Sequence, residues 1–474
     1  MNRLEQVPPQ VDVLVIGAGP AGMAAATTLA AAGLTTVVAD EGAGPGGQVW
    51  RAVTSTPVGN RPVLGADYWT GFDAAQAFLA SGATYLPQTT VWSLDETATA
   101  NLSSGGVSRA VAARHVVIAT GAMERPFPVP GWTLPGVMTV GGAQTVLKAS
   151  GLLPQGRMVI AGTGPLIWLY AAQVLRAGGH IDRILDTTDV SARKDALAHA
   201  PAFMASSLLA KGLALVARVR RTVPVVSGIE SLAIEGDGKA ETLRYSRGGR
   251  DEHCAADTVL LHQGVVPQCN LAMAAGVPHV WDDAGLAFVP EVDGMGRTPC
   301  ERIWIAGDGA GIAGWEAAVD RGELAAIGVL ESLRPGASDV FAIRRLQKSI
   351  ARRQRVRRFV DRLSRPAEAF RIPTGDTVVC RCEEVTAREV EAAADLGCLG
   401  PAQLKSYTRC GMGPCQGRLC GLSVTEILAT RRGVLPGDVG YFRLRPPVKP
   451  VTLAELASAP TDDIDQAAVA GRRR

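Results

Sequence analysis

The sequence lacks the segments that would export this protein or place it in a membrane. Residues 1–10 are polar and then proline-containing, without the apolar core of a signal peptide. No apolar run along the 474 residues approaches the length of about 18 residues that a bilayer-spanning helix needs. We therefore predict a cytoplasmic protein with no transmembrane segment, which partner proteins could still hold at the inner face of the membrane.

Excess charge and early cysteines are also missing, and histidines are few. The net charge is only +3, which argues against nucleic acid as a partner. The six histidines are scattered, without a spacing typical of acid–base catalysis, so the catalytic residues stay unknown. The first cysteine is Cys254, so the first half of the chain holds no cysteine pair of the kind that disulfide reductases place beside their flavin. Thiol–disulfide exchange is therefore not expected.

A glycine-rich turn between a strand and a helix lies near the start of the chain. The apolar run 11–16 ends in Gly-Ala-Gly-Pro-Ala-Gly, and an alanine-rich helix is predicted over 21–32. Such a turn binds the pyrophosphate of a dinucleotide, because its glycines allow close backbone approach and the helix N-terminus presents free N–H groups. The candidate binding residues here are Gly17, Gly19, Pro20, Ala21 and Gly22.

An acidic residue follows at the distance that a dinucleotide site requires. A second β-branched run, 35–38, leads to Asp40 and Glu41. Asp40 can accept a hydrogen bond from a ribose hydroxyl, and Glu41 takes this role if the register shifts by one residue. Strand, glycine turn, helix and acid together predict a dinucleotide-binding βαβ unit.

Two further segments carry candidate cofactor contacts in the first half of the chain. In the loop 44–51, Gly47, Gln48 and Arg51 can approach a cofactor. Trp50 could cover a flat ring, although an ordinary loop with a buried tryptophan is the alternative. A strand over 112–118 then ends at Thr120 and Gly121, before a proline-rich crossover.

The same pattern recurs in the middle of the chain. A strand, a Gly-Thr-Gly turn at 162–164, a helix over 166–177 and a strand ending at Asp186 repeat the first unit. Gly264 follows Gly162 at nearly the interval at which Gly121 follows Gly17, so we infer two nucleotide-binding folds of one ancestry. Ile167 replaces the third glycine, which leaves NAD(P) or another nucleotide at this second site undecided.

Cofactor signals return near residue 300. A short apolar strand leads to Gly307 and Asp308, and a helix is predicted from about 312 to 333. Asp308 could bind the ribityl chain of a flavin, and the bland alternative is a helix N-cap. The run 343–365 is strongly basic, which most often indicates a solvated helix face; a partner subunit is the next interpretation and nucleic acid the least favoured.

Cysteines are concentrated near the C-terminus. Two close pairs of thiolates suit a 2Fe-2S cluster, although zinc also accepts four cysteines and buried free thiols are the blandest alternative. Cys254, Cys269, Cys300 and Cys398 are isolated and are expected only to pack. The predicted iron ligands are Cys380, Cys382, Cys415 and Cys420, with Cys410 as the alternative.

Together these motifs resemble the FAD-binding alpha subunits of heteromeric bacterial amine dehydrogenases, the group that includes the corresponding subunits of opine oxidase, cyanide synthase, and hydroxyproline or proline dehydrogenase. The resemblance rests on the segments 17–22, 46–48, 119–126 and 307–309. The segment 411–420 looks like the bacterioferritin-associated-ferredoxin-like cluster domain of those subunits, and the tail 443–450 is similar as well.

The resemblance implies an α/β protein with two Rossmann-like domains of the pyridine-nucleotide-disulfide-reductase type and a small C-terminal α-helical iron–sulfur domain. We expect an FAD-binding domain over 1–150 and 286–342, an NAD(P)-binding-like domain over 151–285, a basic helical linker over 343–374, a 2Fe-2S domain over 375–432 and a tail over 433–474.

In function, the resemblance implies one subunit of an oxidoreductase that acts on CH–NH donors, carrying FAD and a 2Fe-2S cluster. An amine-oxidising flavoprotein beta subunit would oxidise an opine, imino acid or related amine, and a small ferredoxin-like subunit could join the complex. The alternatives are a stand-alone NAD(P)H-dependent oxidoreductase, suggested by the second nucleotide fold, and a structural or cluster-binding scaffold subunit.

Overall fold

A computed structural model describes Leu4 and residues 7–459 of the chain. The last part of the tail expected over 433–474 lies outside the described residues. Within the part that is described, none of the helices combines the length and the apolar character needed to cross a membrane.

The first unit is a mixed sheet flanked by helices, as expected for an α/β protein. Its seven strands run in the order β3-β2-β1-β6-β5-β4, with β19 (Ile303–Ile305) beside β6. The elements of this part are β1 (Gln10–Ile16), α1 (Pro20–Ala31), β2 (Thr36–Ala39), α2 (Arg61–Leu64), α3 (Ala66–Leu79), β3 (Thr84–Leu86), β4 (Thr90–Leu94), β5 (Thr99–Ser104), β6 (Val107–Ile118) and β7 (Ala122–Glu124).

Parallel pairing places the carboxyl ends of the central strands at one edge of this sheet. β1 pairs in parallel with β2 and β6, and β19 pairs in parallel with β6. Strand β2 is buried along its whole length, as strands covered by helices on both faces are. The candidate residues after β1, β2, β6 and β19 therefore meet at one edge, where ligands of open α/β sheets bind.

The second unit repeats this arrangement with a five-stranded parallel sheet in the order β11-β10-β9-β15-β8. A three-stranded antiparallel sheet, β12-β13-β14, is inserted before β15. The elements of the second unit are β8 (Val137–Thr139), α4 (Val140–Ser150), β9 (Met158–Thr163), α5 (Pro165–Arg176), β10 (Arg183–Asp186), α6 (Val190–Leu197), α7 (Ala200–Met204), α8 (Ser207–Arg220), β11 (Val225–Ser227), β12 (Ile229–Glu235), β13 (Thr242–Arg247), β14 (Arg250–Ala255) and β15 (Thr258–Gln263).

The remaining elements return to the first unit and then form a small, mostly helical C-terminal unit. That unit has its own buried core, built around Val379, Val390, Leu404 and Val424. The elements are β16 (Val265–Pro267), α9 (Asn270–Ala274), β17 (His279–Asp282), β18 (Ala287–Pro290), β19, α10 (Trp315–Leu333), α11 (Val340–Leu363), α12 (Glu368–Arg371), β20 (Val378–Cys380), β21 (Val385–Thr386), α13 (Ala387–Asp395), α14 (Pro401–Thr408), α15 (Gly421–Arg432), α16 (Pro436–Val439) and α17 (Leu453–Ser458).

Packing shifts two of the domain boundaries that we expected from the sequence. β8 pairs with β15, so Val137–Thr139, which we expected in the first domain, belong to the second sheet. Helix α9, which we expected in the second domain, packs on the first sheet instead, because Leu271 and Ala272 lie in the core of that sheet. The sequence placed both boundaries at loops, whereas pairing and burial decide which unit a segment joins.

The basic run forms most of the long helix α11, of which Leu346 is the buried residue. This agrees with the interpretation of a largely solvated face. Its apolar side is partly covered, because the ring of Phe359 stacks on Phe203 of α7 at a centroid distance of 4.5 Å.

Helices α1 and α10 are in close contact, and a glycine makes this contact possible. A Cβ atom at Gly322 of α10 would overlap the backbone carbonyl of Ala21, in the first turn of α1. Likewise, a Cβ atom at Gly307 would lie 2.7 Å from the Cβ atom of Ala21. The start of α1, which carries candidate binding residues, is therefore held in place by backbone contact with α10.

We predict that Gly322→Ala lowers the free energy of unfolding by roughly 1–3 kcal/mol, because the added methyl group overpacks the α1–α10 contact. Gly212→Ala is the matched control, since Gly212 lies in helix α8 with open space around it. The control should be neutral, or stabilise by up to about 1 kcal/mol through helix propensity. Denaturant unfolding measures both variants; equal stability would contradict the packing argument.

Candidate functional site

The first glycine loop, residues 17–22, has the backbone geometry of a phosphate-binding turn. Gly17 has a φ of +104°, and a Cβ atom there would lie 2.5 Å from the carbonyl oxygen of Ala119. A Cβ atom at Gly22 would overlap the carbonyl oxygen of Gly17. Helix α1 starts after Gly19 with Pro20 in its first turn, and among the described residues no side chain caps it. Its first N–H groups are thus available to an anionic ligand.

Asp40 contacts this loop directly. Its carboxylate accepts hydrogen bonds from the N–H groups of Ala18 and Gly42, both at 2.6 Å, and so fixes the loop against the end of β2. Glu41, the alternative acid, instead forms an ion pair with Lys449 of the C-terminal tail at 2.8 Å. The two acids therefore have different partners, and Asp40 is the one that lies at the glycine loop.

The adjacent segment, here called the Gly46 loop (residues 46–51), lies over the first glycine loop. The N–H group of Gly46 donates to the carbonyl oxygen of Ala18 at 2.8 Å. A Cβ atom at Gly47 would lie 2.9 Å from the Cα atom of Gly19, so only glycine allows this approach. The candidate residue Gln48 is exposed at the surface of this loop.

Trp50 does not lie at the loop surface, where it could cover a flat ring. Its side chain is 1% exposed, packs against Trp315 at a ring-centroid distance of 5.2 Å, and donates a hydrogen bond from Nε1 to the carbonyl oxygen of Asp67. The alternative of a buried tryptophan is therefore the one that the structure shows. Beside it, the carbonyl oxygen of Arg51 accepts a hydrogen bond from Tyr68.

Thr120 and Gly121 lie at the end of β6, beside the same edge of the sheet, and contact the chain that returns from the second unit. Thr120 Oγ1 lies 3.4 Å from the carbonyl oxygen of Gln268. The N–H group of Gln268 donates to the carbonyl oxygen of Gly121 at 3.0 Å. The loop after β6 is thus tied to residues 265–270.

Asp308 lies in a 3-10 turn, Gly307–Ala310, that precedes α10. Its Oδ1 atom accepts a hydrogen bond from the N–H group of Ala313 at 2.9 Å and lies 3.3 Å from that of Gly314. Helix α10 begins at Trp315 rather than near residue 312 as expected, because the glycines before it adopt positive φ angles. Asp308 therefore bonds to the backbone just before the helix.

Arg321 of α10 stabilises the same turn through hydrogen bonds to its backbone. Its guanidinium donates to the carbonyl oxygen of Gly307 at 3.0 Å and also to that of Gly311. Burial lowers the pKa of Arg321, while the nearby Asp308 carboxylate opposes this shift. The arginine therefore fixes both ends of the turn that presents Asp308.

The second glycine loop, residues 162–164, also has positive φ angles, at Gly162 and Gly164, before the start of α5. His262 lies behind it with its side chain 2% exposed, and its Nδ1 atom is 2.6 Å from the carboxylate of Glu124. Asp186 accepts hydrogen bonds from neighbours at the end of β10, and Ile167 is buried. The second site therefore has the backbone conformation of a nucleotide-type turn.

The cysteine residues of the C-terminal unit converge. The sulfur atoms of Cys380, Cys410 and Cys420 lie within 4.8 Å of one another and are buried. Hydrogen bonds with Cys410 and Cys420 lower the pKa of Cys380 to about 2, as expected for a thiolate flanked by thiols. Cys382 and Cys415 adjoin each other; burial raises the pKa of Cys382, and a hydrogen bond from the backbone N–H group of Cys415 opposes this shift. Three buried sulfur atoms in one group, with Cys382 and Cys415 adjoining each other, suit a metal or an iron–sulfur cluster.

Glycines shape the backbone around these sulfur atoms. A Cβ atom at Gly413 would lie 3.3 Å from the sulfur atom of Cys382. Cβ atoms at Gly411 and Gly417 would lie 2.6 Å and 2.5 Å from the ring of Phe442, which covers the loop. By contrast, Cys269 outside this unit has an isolated thiol whose pKa burial raises to about 12, as expected for a packing role.

Residues 409–420, between α14 and α15, carry Cys410, Cys415 and Cys420 and are called the cysteine loop. This loop packs directly against residues 268–270, which contact the end of β6. Asn270, which is 5% exposed, donates from Nδ2 to the carbonyl oxygen of Gln416 at 2.9 Å, next to Cys415. The rings of Phe288 and Tyr441 meet across the same interface at 5.4 Å. Because Gln268 bonds to Gly121, two hydrogen bonds and three consecutive residues connect the loop after β6 with the cysteine loop.

Several residues of these sites carried no recognisable signal in the sequence. Arg321 and Asn270 belong to helices, and neither stands in a motif. Lys148, whose side chain is 4% exposed, reaches the Gly46 loop from α4. A buried arginine or lysine is visible only after packing is known, since most such residues are exposed.

The sequence matches two known protein families. Residues 11–322 match the family described as pyridine nucleotide-disulphide oxidoreductase. Residues 374–459 match the sarcosine oxidase A3 domain. The first match covers both nucleotide-type units, and the second covers the unit that holds the converging cysteines.

Individual proteins are similar over almost the whole chain. An opine oxidase subunit of Agrobacterium tumefaciens (strain Ach5) is 47% identical, over 97% of this chain and 94% of its own length. The hydrogen cyanide synthase subunit HcnB of Pseudomonas aeruginosa is 32% identical, over 95% and 99%. The crystal structure of L-proline dehydrogenase from P. horikoshii has the same fold, with a TM-score of 0.68, 19% identity, and coverage of 94% of this chain and 79% of that one.

We predict that Arg321→Met weakens binding of the expected FAD about tenfold, or ~1.4 kcal/mol, because the turn that presents Asp308 loses two hydrogen bonds. Arg334→Met is the matched control: Arg334 follows the same helix and donates to the carbonyl oxygen of Ala32 at an exposed position. The control should stay within about twofold. Fluorescence titration of the FAD-free protein measures both affinities, and equal values would contradict the assigned role of Arg321.

Proposed function

This chain belongs to the pyridine nucleotide-disulphide oxidoreductase family and is a relative of an opine oxidase subunit, and from that premise we propose that it is the FAD and 2Fe-2S electron-transfer subunit of a complex that oxidises an amine. As an FAD-dependent oxidoreductase of this kind, it acts on CH–NH donors. The substrate class that we propose is an opine, an imino acid or a related secondary amine or amino acid.

The first site supplies the residues that would hold FAD. The first glycine loop and the N-terminus of α1 would bind the pyrophosphate, Asp40 would bind the ribose, and Asp308 would bind the ribityl chain. FAD supplies the capacity to accept an electron pair and to pass electrons on singly. The full proposed set is Gly17, Gly19, Pro20, Ala21, Gly22, Asp40, Glu41, Gly47, Gln48, Arg51, Thr120, Gly121, Gly307 and Asp308.

The C-terminal unit would supply the ligands for a 2Fe-2S cluster. We propose Cys380, Cys382, Cys415 and Cys420 as ligands, and Cys410 as the alternative to one of them, because Cys380, Cys410 and Cys420 form one buried group and Cys382 adjoins Cys415. The location of Cys410 in the buried group, beside Cys380, makes this alternative a serious one. A cluster accepts one electron at a time, which complements a flavin.

One observation carries the proposal: the two sites are joined by a short, bonded segment. Residues 268–270 bond to Gly121 at one end and to Gln416 at the other. This segment keeps the loop after β6 and the cysteine loop at a fixed separation. It fits a subunit in which electrons pass between FAD and a cluster.

The substrate chemistry is assigned to partners. The six histidines show no spacing typical of acid–base catalysis, and relatives such as those from opine oxidase and hydrogen cyanide synthase are by name subunits of larger enzymes. We therefore propose a hetero-oligomer with an amine-oxidising flavoprotein beta subunit, which a small ferredoxin-like subunit could complete. In this assembly the beta subunit oxidises the amine, and the present chain receives the electrons.

The second glycine loop favours a second candidate, a stand-alone NAD(P)H-dependent FAD and 2Fe-2S oxidoreductase. Its support is the positive φ angles of Gly162 and Gly164 before an uncapped helix. Ile167 argues against it, because the third glycine normally allows close packing of the helix on the strand.

We predict that the anaerobically purified chain contains FAD and about two iron and two labile sulfide per chain, as a 2Fe-2S cluster requires. Cys380→Ser and Cys415→Ser should lose iron, whereas Cys254→Ser, which removes an isolated thiol, should keep it. Cys410→Ser should keep iron if Cys410 is the spare thiol; if it loses iron, whichever of Cys382→Ser, Cys415→Ser and Cys420→Ser keeps iron identifies the spare thiol instead. Zinc in place of iron, or a wild-type protein without metal, would refute the cluster.

We predict that the flavin of the chain alone stays oxidised when it is mixed anaerobically with an opine, L-proline or NADH. The complex isolated from the native host through a tag on this chain should be bleached by its amine substrate. Stopped-flow absorbance at the flavin band is the measurement. Bleaching of the isolated chain by an amine would show a self-sufficient enzyme, and rapid bleaching by NADH would establish the second candidate.

A further inference from the structure

Lys148 belongs to the second unit, but its ammonium group is buried against the first. The residue lies in α4, and its Nζ atom donates to the carbonyl oxygens of Gln48 at 3.1 Å and Val49 at 3.0 Å. A third hydrogen bond, at 2.8 Å, goes to the side-chain oxygen of Gln144. The side chain of Lys148 is 4% exposed, so this contact is closed to solvent.

The two loop carbonyls belong to the Gly46 loop, which lies against the first glycine loop. Gly46 bonds to the carbonyl oxygen of Ala18, and Gly47 approaches Gly19 so closely that a side chain would not fit. A movement of the Gly46 loop would therefore disturb the backbone that faces the pyrophosphate. Lys148 binds the two residues that follow Gly47 in this loop, through the carbonyl oxygens of Gln48 and Val49.

Two buried glutamines extend the contact to another part of the first unit. The side chain of Gln144 donates to that of Gln173, on α5, at 2.9 Å. Gln173 in turn donates to the carbonyl oxygen of Leu64 at 3.1 Å. Lys148, Gln144 and Gln173 thus form a continuous buried network, in which helices of the second unit bind three backbone carbonyls of the first.

Burial of the Lys148 ammonium group costs free energy of folding. Within the described part of the chain, its hydrogen-bond partners are carbonyl oxygens and no carboxylate, and burying a charge without an opposite charge is costly. Burial lowers the pKa of Lys148 to about 7, and the nearby Arg51 adds to this shift. A methionine would fill the same space without a charge, but the carbonyl oxygens of Gln48 and Val49 would lose their donor, so the lysine acts through these hydrogen bonds and not through packing alone.

We propose that Lys148 is a positioning residue for FAD: the second nucleotide-type unit, through Lys148, holds the Gly46 loop in the conformation that binds the flavin nucleotide of the first unit. The second unit then has a task that does not depend on a nucleotide of its own. This inference rests on FAD at the first glycine loop, and it is independent of the cluster and of the amine substrate.

The test compares Lys148→Met with Lys211→Met in the full-length protein. Lys211 is also a second-unit lysine that reaches the first unit, but its ion pair with Asp67 is largely exposed, and exposed pairs contribute little. After removal of FAD, its rebinding is titrated by fluorescence, and the visible circular dichroism of the bound flavin is recorded. We expect the dissociation constant to rise at least about tenfold for Lys148→Met and to change less than about twofold for Lys211→Met.

Two further measurements separate positioning from general stability. The thermal unfolding midpoint of the FAD-free Lys148→Met protein should stay close to that of the wild type, because removal of a buried charge offsets the loss of three hydrogen bonds. Lys148→Arg, which keeps the charge and the donors, should recover part of the FAD affinity. If Lys148→Met does not fold, Gln144→Leu, which leaves the lysine in place, should still weaken FAD binding severalfold.

Equal FAD affinity in Lys148→Met and Lys211→Met, or a loss of affinity that only follows a loss of stability, would overturn the inference. If Gln144→Leu has to stand in for Lys148→Met, an unchanged affinity in that variant overturns it as well. A wild-type protein that binds no FAD would instead remove the flavin proposal itself, so the two failures are distinguishable.

Discussion

The structure depends on the close approach of backbone segments at the first glycine loop. Gly17, Gly22, Gly47 and Gly322 each lie where a Cβ atom would meet another segment of backbone within 3 Å. Glycine permits such contact because it has no side chain and tolerates positive φ angles. The strand, two helices and the Gly46 loop therefore meet at one point, and the N-terminus of α1 remains open to an anion.

Polar contacts between the units hold the segments around the first glycine loop in place. Lys148 and its glutamines join the second unit to the first, and Asn270 joins the first unit to the cysteine loop. The tail adds Lys449 at Glu41. Each of these bonds uses a backbone carbonyl or a carboxylate near a proposed cofactor site, so the cofactor sites and the interfaces between units are built from the same segments.

The two nucleotide-type units show how one topology can take on different tasks. Both have parallel strands around a glycine turn, yet only the first keeps a glycine at the third position of the turn. In the second unit, Ile167 is buried in the core, while α4 and α5 direct Lys148, Gln144 and Gln173 towards the first unit. In our interpretation, the duplicated fold has been kept because its helices support the flavin site.

The sequence by itself determined the α/β class, the two related units, the first glycine loop with Asp40, and the concentration of cysteines near the end. These features are local: glycine spacing and apolar periodicity specify a turn or a strand without reference to distant residues. Only the tertiary structure decided that Trp50 is buried, that β8 joins the second sheet, that Cys410 lies beside Cys380, and that Lys148 and Asn270 link separate units. These depend on which side chains meet across the chain, and the free energy of burial and pairing between distant segments leaves no pattern in a single sequence.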